Sequence, residues 1–386
     1  MITPCLPRNI RYTITPCSLF FKRQTTTSLH FTERKTISSK PLQPLQLPLF
    51  LKPPIYTTTI YELKTFQNWA NNLAISTGSK FLDLDNGPES SLLCRELNWL
   101  LEDVVESEWP TSFLTLGTVE NERVVKMKTE MEHLYVLWKQ RIEERRPFQY
   151  IVGCEHWRDL VLCVQEGVLI PRPETELIVD MVEEVVLENE VMKEGVWLDL
   201  GTGSGALGVA IGRVLGKEGR VIATDLSPVA ASVTSFNVQR YGLQDKVEIR
   251  IGSWFEPLED VKGKLVGIVS NPPYIPSEDI PGLQAEVVRH EPKLALDGGE
   301  TGMDDLLQLC EGAASFLKPG GFFVFENEES GQENRIRNAI LRYTNGEKQS
   351  KYLVDFMDTK TKGSFRHLKI VSDFAGVQRF VIGYRN

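Results

Sequence analysis

Ser270-Asn271-Pro272-Pro273-Tyr274-Ile275 is the segment of this chain best equipped for chemistry. It follows the apolar run Leu265-Val266-Gly267-Ile268-Val269, which reads as a buried strand, so Asn-Pro-Pro-Tyr stands where a strand ends. Pro272 and Pro273 have fixed φ and no N–H, so the strand stops there. The Asn271 side chain and the neighbouring carbonyls are thereby held in one place, with the Tyr274 ring next to them. Such a loop can grip a flat hydrogen-bonding group, either a carboxamide or the edge of a nucleobase. The same four residues would also serve as a plain strand-terminating turn with a buried Tyr. The residues upstream decide between the two.

Trp197-Leu198-Asp199-Leu200-Gly201-Thr202-Gly203-Ser204-Gly205 closes one predicted strand and opens a helix over Ala206 to Leu215. Gly201, Gly203 and Gly205 at alternate positions let the backbone turn sharply and approach a ligand. The helix start behind them presents unpaired N–H groups. The spacing is neither the triphosphate-cradling G-x-x-x-x-G-K-[ST] nor the dinucleotide G-x-G-x-x-G. The next strand ends at Asp225, 20 residues after Gly205, where a carboxylate suits the two hydroxyls of a ribose. Alone, Asp225 could equally be a helix N-cap. Gly252-Ser253-Trp254-Phe255 follows the third strand; the Trp254 ring suits an adenine face, or ordinary core. Successive strand tips thus carry Asp199 with the glycine turn, Asp225, Trp254 and Asn271-Pro272-Pro273-Tyr274, and all four would line one crevice at the carboxyl edge of a sheet.

The elements that must hold these tips follow from periodicity. Apolar strand runs at Val196–Leu200, Val221–Asp225, Val247–Ile251, Leu265–Ser270 and Phe322–Glu326 alternate with helical stretches, which predicts a doubly wound, mostly parallel α/β sheet. Late strand signals lie at Tyr352–Phe356 and Arg379–Tyr384, and the charged stretch Gly346 to Gly376 reads as a surface insertion. Residues 57–146 read as a small all-helical bundle. One helix turns Tyr61, Leu63, Phe66, Trp69, Leu73 and Ile75 inward; a second starts at Gly87-Pro88-Glu89-Ser90; a third runs from about Glu120 to Arg145 with Val124 and Met127 inward. Residues 147–170 read as a β-hairpin linker, Phe148–Gly153 against Leu160–Val164. Glu174 or Thr175 is placed to cap the helix that follows.

Of 386 residues, 43 are basic and 52 acidic. Residues 1–40 hold seven of the basic residues and a single acid, Glu33, among dense Ser and Thr, the composition of an organelle transit peptide; a disordered basic tail is the plainer reading. Without that segment, 36 basic face 51 acidic residues, a net of −15, which disfavours general binding to phosphate backbones. No apolar run reaches the length of a membrane span. The six cysteines form no C-x-x-C pair and the five histidines are scattered, so a reducing compartment and no metal are expected.

The ordered set of motifs resembles the class I S-adenosylmethionine-dependent methyltransferases, and Asn-Pro-Pro-Tyr resembles the branch acting on exocyclic or amide nitrogens. With Arg145-Arg146-Pro147-Phe148-Gln149-Tyr150-Ile151-x-Gly153 and Leu169-Ile170-Pro171-Arg172-Pro173-Glu174-Thr175-Glu176, the chain looks like a member of the HemK/PrmC family over about residues 57–386. That family methylates the glutamine of the Gly-Gly-Gln motif of peptide-chain release factors. The resemblance implies a seven-stranded class I methyltransferase sheet over 171–386 and S-adenosylmethionine as cofactor. The leader of about 1–50 is read from composition alone; the resemblance further implies a substrate-docking role for the helical module 57–146. It assigns cofactor binding to Asp199, Gly201, Thr202, Gly203, Ser204, Gly205, Asp225, Trp254 and Asn271, and substrate binding to Asn271, Pro272, Pro273 and Tyr274. Asn271, Pro272 and Tyr274 would be the catalytic set, with Arg172 and Glu174 nearby or simply ion-paired at the surface.

Two positions depart from the family pattern. Ser253 stands where an acid often precedes the Trp, and Glu326-Asn327-Glu328 replaces a frequent Glu-His-Gly. The implied partner is a release factor in a chloroplast or mitochondrion, with a monomer as the default state and no membrane. The rival enzyme is a DNA or RNA exocyclic-amine methyltransferase, which should carry a basic recognition region; a non-enzymatic assembly factor should show an eroded glycine turn, and this one is intact.

Overall fold

The computed structural model describes residues 45–106, 121–327, 349–361 and 363–386, all within a unit running from Leu42 to Asn386. The expected leader lies almost wholly outside them. The first elements are β1 (Tyr56–Thr59), α1 (Ile60–Asp85), α2 (Ser90–Val104), β2 (Val124–Met127) and α3 (Met131–Glu143). A capping box starts α1: the Thr59 hydroxyl accepts from Glu62 N at 3.2 Å, and the Glu62 carboxylate accepts from Thr59 N at 3.0 Å. Asn86 ends the helix in the left-handed conformation, φ +54°. The helix turns Leu63, Phe66, Ala70 and Ala74 into the local core; Tyr61 and Ile75, expected inside, are each 60% exposed. Gly78 sits where α2 begins, and a Cβ there would meet the Ser90 backbone at 2.2 Å.

This region is not purely helical. β1 and β2 pair antiparallel, Tyr56 opposite Met127, and the expected helix from Glu120 begins only at Met131. Tyr56-Thr57-Thr58-Thr59 is β-branched and aromatic, and Val125 and Met127 are buried at a period of two while Val124, expected inward, is exposed. Glu120 lies outside the described residues.

Next come α4 (Phe148–Val152), β3 (Cys154–Trp157) and β4 (Leu160–Cys163). The hairpin exists, but its first strand is Cys154–Trp157, because Phe148–Val152 coils into a helix ended by Gly153 at φ +80°. A short apolar run carries no period that separates helix from strand.

The main sheet is built from β5 (Val196–Leu200), β6 (Arg220–Asp225), β7 (Val247–Ile251), β8 (Leu265–Ser270), β9 (Leu317–Glu326), β10 (Phe365–Ser372) and β11 (Gln378–Arg385). Its order is β10-β11-β9-β8-β5-β6-β7, parallel from β9 to β7, with β11 and β10 antiparallel at one edge. Its helices are α5 (Glu176–Glu188), α6 (Glu190–Lys193), α7 (Ala206–Val214), α8 (Pro228–Arg240), α9 (Ala285–His290), α10 (Asp304–Phe316) and α11 (Gln349–Thr359). Side chains of α5, α7 and α8 pack with Trp197 and Val221, whereas those of α10 and α11 pack with Leu198 and Ile222. Adjacent strand residues thus serve opposite layers, and the expected doubly wound, seven-stranded sheet is present.

Tyr352–Phe356, expected as a strand, lies within α11, where Leu353 and Met357 bury a helical face at i, i+4 spacing. The supposed insertion Gly346 to Gly376 holds α11 and the edge strand β10, so it completes the fold; its residues 346–348 and 362 lie outside the described set.

Candidate active site

Register brings the tips together. Leu200 at the end of β5 lies opposite Thr224 of β6 on one side and Ser270 of β8 on the other. The glycine turn, Asp225 and Asn271 therefore leave neighbouring strands at one edge. Gly201, Gly203 and Gly205 take φ of +70°, +58° and +82°, a region L side chains avoid. Gly205 is the N-cap of α7, and a Cβ on it would stand 2.9 Å from Thr234 Cγ2. The turn is tied down from behind: Thr234 Oγ1 donates to Gly203 O at 3.0 Å, and Thr202 N to Thr224 O at 2.9 Å. Fully buried Asn237 donates from Nδ2 to Ser204 O at 2.8 Å and accepts from Cys163 N at 2.8 Å, joining the turn to the hairpin.

Asp199 lies under the turn, 1% exposed. Its Oδ2 accepts from Thr202 Oγ1 at 2.6 Å and from Gly208 N at 2.9 Å, while Oδ1 has no hydrogen-bond partner. Burial pushes the carboxyl up to about 7 despite those two bonds, and Asp225 adds repulsion. Asp225 holds the turn from the next strand, its Oδ2 accepting from Gly203 N at 2.9 Å and its Oδ1 from Ser227 N at 2.8 Å. Burial raises its pKa as well. At the third tip, Trp254 has φ +43°, a strained backbone for an aromatic residue. That strain lays the indole beside the turn, 3.5 Å from where a Gly201 Cβ would stand. The indole N–H donates to Asp305 Oδ1 at 3.0 Å. Asp305 thus supplies a carboxylate at the end of the site where Ser253 replaced one.

Asn271 Nδ2 donates to Thr175 Oγ1 at 3.0 Å, and Thr175 Oγ1 donates to Glu326 Oε2 at 2.7 Å. The Tyr274 hydroxyl donates to Glu326 Oε1 at 3.4 Å. Thr175 is the N-cap of α5 by position, but its side chain caps nothing; its hydroxyl is turned to Glu326. Glu326 is wholly buried, and burial pushes it up to about 7 against these bonds and the nearby Arg379. Arg172 pairs instead with Glu291 at 2.8 Å, and the other Glu291 oxygen accepts from Ile170 N.

These parts enclose a cavity of about 330 Å³, the size of a small-molecule site. It is lined by Asp199, Gly201, Thr202, Gly203, Ser204, Asp225, Trp254, Asn271 and Pro273 from the sequence-based set. Gly205, Pro272 and Tyr274, also expected at the site, are not among the residues that line it. Thr175 and Asp305 also line it, together with Leu294 and Pro292 from the segment after Asn-Pro-Pro-Tyr. No spacing rule pointed to Thr175 and Glu326 as partners, since 151 positions separate them. Among the described residues no cluster of His, Cys, Asp and Glu could hold a metal ion, and no helix is long and apolar enough to cross a membrane.

The ribosomal protein L11 methyltransferase (PrmA) family profile matches residues 172–272, from the loop before α5 to Asn271-Pro272. The release factor glutamine methyltransferase of Synechocystis sp. is 36% identical over 290 residues, 74% of this chain and 88% of its own length. That of Gloeobacter violaceus is 40% identical over 258 residues, 67% and 81% respectively. A crystal structure of ribosomal protein L11 methylase from Lactobacillus delbrueckii subsp. bulgaricus is 18% identical, covers 58% of this chain and 83% of that one, and has a TM-score of 0.33, too loose a likeness to argue from. At the identity and coverage of its curated relatives, the chain belongs to the release factor glutamine methyltransferase family and is an S-adenosylmethionine-dependent methyltransferase.

Proposed function

We propose that the protein methylates the side-chain amide nitrogen of the glutamine in the Gly-Gly-Gln motif of an organellar peptide-chain release factor. The observation that carries this reading is that Asn271, at the start of the proline-locked loop, opens onto the same cavity as the glycine turn and Asp225. The residues present suit S-adenosylmethionine. The Asp199 Oδ1, buried and unpartnered, is available to a cationic group, Asp225 to two hydroxyls and the Trp254 ring to a purine face. That cofactor supplies an electrophilic methyl group on a sulfonium.

The remaining chemistry belongs to this chain's own residues. An amide nitrogen is a poor nucleophile because its lone pair is delocalised into the carbonyl. Asn271 Oδ1 and the Pro272 carbonyl are suited to accept the two N–H bonds of the substrate carboxamide, and Tyr274 borders its flat face. Gripped in this way, the nitrogen presents its lone-pair density to the methyl group. It takes the methyl, the S–C bond pair stays on sulfur, and one nitrogen proton leaves to water. Orientation and electrostatics supply the acceleration, with no covalent enzyme intermediate.

The organellar address rests on the basic, acid-poor and hydroxyl-rich residues 1–40. A fusion of residues 1–50 to a fluorescent protein should enter chloroplasts or mitochondria; a diffuse cytosolic signal would refute that part. The substrate is tested with purified protein and methyl-labelled cofactor, offered a release factor, its Gln-to-Ala variant, and bulk DNA or RNA. Label should appear on the intact release factor alone, and label on nucleic acid would point to the exocyclic-amine alternative instead.

A further inference from the structure

An asparagine that must accept hydrogen bonds from a substrate has a problem of orientation. Its amide is nearly symmetric in shape, and a half-turn about the last side-chain bond replaces the acceptor Oδ1 with the donor Nδ2. The chain behind Asn271 removes that freedom. In its ionised form Glu326 accepts at both oxygens, one from the Thr175 hydroxyl at 2.7 Å and one from the Tyr274 hydroxyl at 3.4 Å. Thr175 has a single hydroxyl proton and spends it on Glu326, so only its lone pairs face Asn271. They accept from Nδ2 at 3.0 Å. A flipped Asn271 would set oxygen against oxygen in a buried place, where an unmade hydrogen bond is expensive. Thr175 is 4% exposed and Glu326 0%, so water does not readily replace either partner.

We propose that Thr175, oriented by Glu326, is a positioning residue that locks the Asn271 amide with Oδ1 toward the incoming glutamine. This rests on the reading of Asn271 as the glutamine clamp, and it assigns the opening of α5 and the end of β9 a part in the reaction that neither plays by touching substrate.

The test uses the full chain with the Thr175→Val, Thr175→Ser and Glu326→Gln variants. Valine keeps the shape and loses the hydroxyl, so kcat toward the release factor should fall roughly 10- to 100-fold while cofactor Kd stays within about 3-fold. Serine restores the hydroxyl and should recover kcat to within about 3-fold of the parent. Glu326→Gln leaves one acceptor oxygen for the two hydroxyls of Thr175 and Tyr274 and should lower kcat in the same sense, by less than Thr175→Val. Thr175→Val added to Asn271→Ala should cause no further loss, because nothing remains to orient; losses that multiply would mean a merely structural role and would overturn the proposal. So would a Thr175→Val enzyme with kcat close to the parent's. A second readout needs no activity: with isotope-labelled asparagine, the Asn271 side-chain protons should exchange slowly in the parent and the serine variant and rapidly in the valine variant. If the parent methylates no release factor but this exchange pattern holds, the substrate reading fails and the lock stands; if exchange is rapid in all three, the lock fails.

Discussion

In the proposed reading Asn271 grips the substrate amide, while the glycine turn and Asp225 carry most of the cofactor binding. Asn271→Ala should lower kcat by at least about 100-fold, the scale of losing a preorganised polar contact. Calorimetry should show cofactor affinity little changed, since the glycine turn and Asp225 are untouched. Equal activity in this variant would end the assignment. Asp199 and Glu326 give the site a pH signature. Both carboxyls are pushed by burial to about 7, from ordinary values of 3.8 and 4.5. The folded state therefore binds more protons than the unfolded chain between about pH 4 and 7. The stability these two groups contribute is greatest below that window and falls as pH rises through it, by an upper bound of roughly 3–4 kcal/mol per group at 1.36 kcal/mol per pKa unit. Denaturant titrations of the cofactor-free protein at pH 5 and pH 8 should show this decline, and Asp199→Asn should reduce it. A stability that rises over the same range would contradict the burial of these groups.

At the scale of elements, the glycine turn is the most demanding local structure. Gly205→Ala forces a side chain into φ +82° and sets its Cβ 2.9 Å from Thr234. It should cost about 1–3 kcal/mol, read as a drop in melting temperature, and weaken cofactor binding by displacing α7 from the turn. The parallel strands and their tips were legible because continuous apolar runs bounded by Gly, Pro or Asp encode them directly. Asp199, Asp225, Trp254 and Asn271 could be collected from order alone, as parallel strands deliver their carboxyl ends to one edge. Phe148–Val152 and Tyr352–Phe356 were misread as strands because five apolar-rich residues carry too little period to separate helix from strand. Tyr56–Thr59 escaped notice because a two-stranded ribbon flanking a long helix leaves only four residues of pattern. Asp305, Thr175 and Glu326 were invisible as site residues for another reason: their partners are set by the sheet order, which no local spacing reports.

At the scale of the whole molecule, a buried ionic cluster ties the helical region to the segment that follows Asn-Pro-Pro-Tyr. Arg141 of α3 donates to Glu96 of α2 at 2.7 Å and to Glu286 of α9 at 2.9 Å. Arg145 donates to the same Glu286 carboxylate at 2.7 Å and to Asp85 at the end of α1 at 3.0 Å. The burial that would neutralise Glu286 is outweighed by the two guanidinium groups, which hold its pKa below the usual range. Glu286→Ala removes the carboxylate shared by the two buried arginines, leaving Arg141 only Glu96 and Arg145 only Asp85, and should destabilise the protein by about 2–3 kcal/mol. It should also loosen the wall carrying Pro292 and Leu294, so proteolysis of that segment is the measurement; unchanged protection would mean that α9 is held by other contacts. Residues 41–386 carry a net charge of −15, which suits a protein partner better than a phosphate backbone. The most direct measurement is peptide mass spectrometry of a release factor after incubation with the purified enzyme and S-adenosylmethionine, run beside Asn271→Ala. The expected result is one added methyl group on the Gly-Gly-Gln glutamine with the parent and none with the variant, at equal cofactor occupancy. A methyl group on another residue, or the same yield from both proteins, would contradict the assignment of Asn271 as the clamp on a substrate amide.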